Sequence, residues 1–172
     1  FYDISYEFYQ YLNTQSHLLA DYPWLLELAH FEWAEIAADI AEGEWPVYQQ
    51  GDLLTGIPVL NPFVWPLVYQ WPVHKASLLK NSQTTLILMY RDLKDHVQMM
   101  ELNHLTLNLI QLIQNNQVLT GEDLLILLAQ QQQQSIEQLR KAFDDFLRIL
   151  HEKQIILGVS SVAFNCNANN KS

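Results

Sequence analysis

Two apolar segments, TTLILMYR (84–91) and VQMMEL (97–102), flank the polar turn Asp92-Leu93-Lys94-Asp95. Alternation at Leu86, Leu88 and Tyr90, and again at Val97 and Met99, predicts two half-buried strands joined as a hairpin. Helical spacing follows. Asn103 suits the N-cap of a helix through Leu105, Leu109, Leu112 and Ile113. Thr120, with Asp123 three positions on, reads as a capping box opening a helix through Leu124, Leu125, Leu127 and Leu128. The glutamine run Gln130–Gln134 marks a solvated turn or helix end, and a third helix carries Ile136, Leu139, Phe143, Phe146, Leu147 and Leu150. An apolar run, Ile155-Ile156-Leu157, then closes on Gly158. A hairpin with three helices predicts a winged-helix-like unit over 84–158.

Upstream, residues 1–44 read as helical. Tyr6, Phe8, Tyr9 and Leu12 form one stripe, and a second, opening near Pro23, runs from Leu25 to Ile40 and stops by Gly43. Residues 45–83 hold five of the six prolines, mixed with Trp65, Tyr69 and Trp71. Proline removes a backbone donor, so this segment predicts an extended connector, with an edge strand over 67–75 carrying Pro72. A Ser/Asn-rich tail over 159–172 is expected to fray. The fold class expected is α+β: an N-terminal helical part, a Pro/Trp-rich connector, and a C-terminal winged-helix-like unit made of a small antiparallel sheet plus three helices.

Winged helices grip DNA or capture peptides, and charge separates the two. Nine Lys and Arg stand against nineteen Asp and Glu, a formal net charge of −10. Phosphate contacts need a basic footprint, which is missing. The helix opening at Gly121 has neither Lys nor Arg and starts Glu122-Asp123. A transcriptional regulator reading DNA is therefore the alternative, and a peptide or protein the preferred partner. No apolar run reaches the ~18–20 residues of a membrane span. One cysteine, Cys166, excludes an internal disulfide and suits a reducing, cytoplasmic setting.

Catalytic candidates are isolated. Glu27-x-x-His30 with Glu35 and Asp39 would need a matching ligand set on a facing helix to hold a metal, and the other histidines do not repeat that spacing. His74 beside Trp71 has no nucleophile in a recognisable context. Neither a catalytic residue, a metal site nor a cofactor is expected. The aromatics Trp65, Tyr69 and Trp71 read as core. A small sheet does leave an edge of unpaired N–H and C=O groups, to which an extended peptide can add. Val97, Gln98, Met99, Met100 and Leu102 would supply that edge, with Phe143 and Leu147 flooring a groove.

The strings YPWLLELAHFEWAEIA (22–37), GIPVLNPFVWPLVYQWPVHK (56–75), MYRDLKDHVQMMELNHLTLNLIQLI (89–113) and LTGEDLLILLAQ (119–130) resemble the HvfC-type proteins, relatives of the methanobactin helper MbnC once labelled as DNA-binding. The resemblance spans about residues 1–158. The stretch from the second strand into the helices also resembles the PqqD-like peptide-recognition module. These resemblances imply a non-catalytic helper in the maturation of a ribosomally synthesised peptide. It would bind the leader of the precursor peptide along Val97–Leu102, beside Phe143 and Leu147, and form a heterodimer with a multinuclear iron-dependent oxidase. Family members usually carry a further N-terminal helical domain.

Overall fold

The computed structural model describes residues 2–75, 77 and 79–160. In chain order its elements are α1 (Tyr2–Asn13), α2 (Ser16–Asp21), α3 (Leu25–Ile40), β1 (Tyr48–Gln49), β2 (Pro58–Leu60) and β3 (Val64–Tyr69). These are followed by β4 (Thr85–Arg91), β5 (Val97–Leu102), α4 (His104–Gln114), α5 (Gly121–Gln132), α6 (Ile136–Glu152) and β6 (Ile156–Ser160). Helices and two antiparallel three-stranded sheets make the protein α+β, as its periodicities predict. The chain divides into two compact units: residues up to Glu44 with Pro62–Ile110, and Trp45–Asn61 with residues from Gln111 on. The expected segments are thus redistributed. The connector is split at Asn61, and the hairpin and the last two helices of the 84–158 segment fall in different units.

In the first unit, α3 buries Phe31, Ala34 and Ala38 against Tyr69, Val73, Ile87 and Met89. α1 packs on α3 with the Tyr6 ring 5.4 Å from Trp33 and Tyr9 edge-on to His30 at 5.4 Å, and its Leu12 is buried. Phe8 leaves the stripe expected of it and is exposed, since two positions turn about 200° around a helix. Trp65 and Trp71 pack against the core and Tyr69 is buried in it, in keeping with a core role for these aromatics.

The first sheet has the order β3-β4-β5. β4 is its middle strand and is buried at every position, so its alternation separates two buried faces and not a wet from a dry one. The hairpin turn is fixed by Asp92, whose carboxylate accepts the Lys94 and His96 N–H groups at 2.8 and 3.0 Å. Burial works against that charge, but the two backbone donors prevail and hold the carboxyl below its usual range. Asp95 takes the left-handed conformation that the return requires (φ 62°).

β3 differs from the expected strand at both ends. It spans Val64–Tyr69 and carries Pro66 instead of Pro72. The Arg91 N–H donates to Phe63 O at 3.0 Å, and residues bonded across an antiparallel pair alternate with residues that are not. With Pro66 opposite Leu88, the proline falls at an unbonded position, and its missing N–H costs the ladder nothing.

In the second unit the apolar run after α6 forms β6, centre of a sheet of order β1-β6-β2. The strand continues to Ser160, past the expected start of the tail. Buried Asn61 anchors its neighbourhood: its backbone N–H donates to Ile155 O and its side-chain amide to Gln154 O, each at 2.9 Å. α5 opens with the capping box of Thr120 and Asp123, and ends where Gln133 turns left-handed inside the glutamine run. A second box, Ser135 with Gln138, opens α6. The two remaining donors at the start of α5 are satisfied by a loop: Gly121 N–H reaches Gly56 O at 3.0 Å and Glu122 N–H reaches Leu54 O at 2.9 Å.

Candidate functional site

Register decides what the rim of β5 offers. Asp92 N–H donates to His96 O at 3.0 Å, which makes that pair a bonded one. Strict alternation from there turns the main-chain groups of Gln98, Met100 and Leu102 toward β4. Those of Val97, Met99 and Glu101 turn outward. Among the described residues β4 is the only strand partner of β5. Three consecutive outward positions therefore present N–H and C=O groups to an incoming strand.

The opposite rim of the same sheet is different. Its central outward position is Pro66, which has no N–H, so β3 cannot present a continuous row of donors. Among the described residues, proline interrupts one edge of this sheet and no strand pairs with the other.

On the face of β5 that Val97, Met99 and Glu101 share, burial falls off along the strand: Val97 packs against the core, Met99 is 42% exposed, and Glu101 extends into solvent. Glu101 is bound by His74 Nε2 at 2.8 Å and by the Lys75 ammonium. Lys75 foremost, and His74 after it, hold the Glu101 carboxyl below its ordinary range. Past this clamp the strand runs out beside a polar cleft of about 220 Å³, lined by Gln83, Thr84, Thr85, Glu101, Asn103 and His104 among others. Asn103, part of that lining, caps α4 and accepts the Thr106 N–H at 2.8 Å.

The five predicted strand residues, Val97, Gln98, Met99, Met100 and Leu102, thus share one strand of the first unit. Phe143 and Leu147 sit one turn apart on α6 of the second unit, each only 2% exposed, with their side chains committed to the interior. Leu147 also borders a cleft of about 330 Å³ with Gly51, Asp52, Leu53, Asp144 and His151. Glu101, Pro66 and the His74–Lys75 clamp are the edge residues that sequence reasoning missed. Glu101 carried a signal: it continues the two-residue period of Val97 and Met99.

Glu27 and His30, weighed above as metal ligands, have structural work. The Glu27 carboxylate accepts the N–H groups of Gln70 and Trp71, both at 2.9 Å, where β3 ends. His30 Nδ1 meets the Tyr69 hydroxyl at 2.9 Å. Burial lowers the His30 pKa despite the opposing pull of Glu27, and burial foremost raises that of Tyr69. Among the described residues no three His, Cys, Asp or Glu side chains converge as a metal site. No helix among them is long and apolar enough to cross a membrane.

Comparison with protein families matches residues 61–151 to the model described as the HvfC C-terminal domain. No curated protein gives a significant match.

Proposed function

Because the chain belongs to the HvfC C-terminal domain family, we propose that it is a non-catalytic helper that binds the leader of a ribosomally synthesised precursor peptide. The leader adds to β5 as a fourth strand and is presented to a multinuclear iron-dependent oxidase, which supplies the irons. The observation that carries this reading is the asymmetry of the first sheet: outward groups at Val97, Met99 and Glu101, against Pro66 on the other rim. Main-chain bonds along such an edge give affinity with little demand on ligand sequence, while exposed Met99 adapts to the side chains it meets. Phe143 and Leu147, already buried, are not needed for it.

The test uses two prolines one position apart. Met99→Pro deletes an outward donor and leaves the β4–β5 ladder intact, so the protein folds with a stability loss under about 1 kcal/mol. Binding of a fluorescein-labelled leader from a small Cys-bearing precursor encoded beside this gene should weaken about tenfold or more, measured by anisotropy. Met100→Pro removes a donor that faces Leu88, and costs about 1–3 kcal/mol of stability by leaving a buried carbonyl without its bond. Full-affinity leader binding by a folded Met99→Pro variant refutes strand addition at β5.

A further inference from the structure

The net charge is not spread along the chain. The first 74 residues hold ten Asp and Glu and no Lys or Arg, while residues 75–172 hold nine acids and nine bases. The whole excess of −10 therefore belongs to the N-terminal stretch.

That same stretch carries an apolar face that nothing among the described residues covers. α1 is fixed to α3 by Tyr6 and Tyr9, and its Leu12 is buried. On its other side Ile4, Phe8 and Tyr11 lie at positions i, i+4 and i+7, one continuous stripe, and are 65%, 51% and 55% exposed. Asp3 and Glu7 border that stripe on the same helix, one turn apart. An apolar helix face with a polar border is the geometry of a helix-recognition surface, and scattered single hydrophobics would not line up this way.

Charge selects the occupant. A second copy of the chain docked through this face by two-fold symmetry would set Asp3 and Glu7 against their own counterparts. An anionic lipid surface would meet the same repulsion. A polypeptide segment that interleaves Lys or Arg with apolar residues satisfies both the stripe and its border. We propose that α1 is a docking surface for a basic amphipathic segment of a partner protein, separate from the β5 edge and independent of what that edge binds.

The probe is a synthetic helix of about fourteen residues built from Leu and Lys, with a Leu/Glu counterpart of the same pattern as control. Titrated calorimetrically against the full chain, the Leu/Lys helix should bind with an affinity that falls as salt rises, and the Leu/Glu helix should not. The triple substitution Ile4→Ser, Phe8→Ser, Tyr11→Ser keeps every charge and removes the stripe. It should weaken binding about tenfold or more, whereas Asp3→Asn with Glu7→Gln should weaken it less and flatten the salt dependence. Because the three side chains are exposed, the triple variant should melt with the wild type. Met99→Pro should bind the Leu/Lys helix unchanged, which keeps this test apart from that of the β5 edge.

Three results overturn the proposal. The first is equal affinity of the triple variant, which would reveal diffuse attraction to an acidic protein. The second is comparable binding of the Leu/Glu helix or of phosphatidylserine vesicles. The third is concentration-dependent dimerisation abolished by the triple substitution, which would make a second copy the occupant.

Discussion

Arg91 gives the most demanding check on how the first unit is held together. It is 9% exposed at the end of β4, yet its guanidinium has a defined environment. Nη1 donates to Asp39 O at 2.9 Å and lies 3.5 Å from Ala38 O, two carbonyls of the last turn of α3. Those carbonyls have no partner further along the helix, and a cation at a helix C-terminus also complements its dipole. The guanidinium carbon stands 3.9 Å from the centre of the Phe63 ring. Asp95, 3.6 Å away but 79% exposed, adds little. Arg91→Met keeps the stem's packing and removes the charge. The lost charged hydrogen bond is worth about 1.5–3 kcal/mol and the cation–π contact about 0.5–2, so the sum for this variant is roughly 2–5 kcal/mol. In a chain of this length that lowers the melting temperature by about 2–4 °C per kcal/mol. Arg91→Lys keeps the charge over the ring and forfeits the fork, so it should fall between. Urea unfolding followed by tryptophan fluorescence measures all three, since four of the tryptophans lie in this unit. A loss below about 1 kcal/mol for Arg91→Met would refute the claim that this side chain ties α3 to the sheet.

Two further outcomes follow from the same geometry. Gly121→Ala replaces a residue whose added Cβ would stand 2.1 Å from Leu53 O and 3.0 Å from Leu54 Cα, both backbone atoms. The substitution should cost about 2 kcal/mol or more in urea unfolding despite alanine's better helix propensity, and an unchanged midpoint would show that the loop yields freely. For pH, burial puts the folded pKa of His30 below the ordinary 6.5, so the folded state binds fewer protons than the unfolded one. Its contribution is complete above about pH 6.5 and is lost as pH falls toward the lowered value. The wild type should therefore lose more melting temperature than His30→Gln between about pH 7.5 and 5.5, and parallel losses would remove His30 from the account.

What the sequence made legible was local. The hairpin turn rests on Asp92 bonding residues two and four positions on, and the cap of α5 on Thr120 bonding a residue three positions on; such signals are written side by side in the chain. β1 and β2, of two and three residues, are too short to show a period, so the connector disclosed neither strand. The role of Glu27 depends on backbone 43 and 44 residues away, and alone its spacing to His30 looks like chemistry. Phe143 and Leu147 are ambiguous for a related reason. An apolar residue on a helix stripe has the same signature whether it floors a groove or fills a core; both are 2% exposed, and Leu147 also borders a cleft. β5 itself was legible by alternation, but which of its main-chain groups face outward is set by the register at Asp92 and His96.

An open sheet edge is a hazard as well as a tool, because a second copy of the same strand is the ligand nearest to hand. Proline solves this on β3, at Pro66, and the same device on β5 would abolish the donors that the proposed leader peptide would require. Charge offers a defence that leaves the donors in place. Copies that each carry −10 repel at a distance, while a neutral or basic peptide is not turned away. That repulsion is screened over roughly 10 Å at about 0.1 M salt, so it protects most where ionic strength is low. Edge specificity in this protein would then be divided between two physical terms: short-range main-chain bonding, which accepts almost any extended chain, and long-range charge, which excludes the chain's own copies. Rising salt should accordingly favour self-association through β5, and Met99→Pro should suppress it.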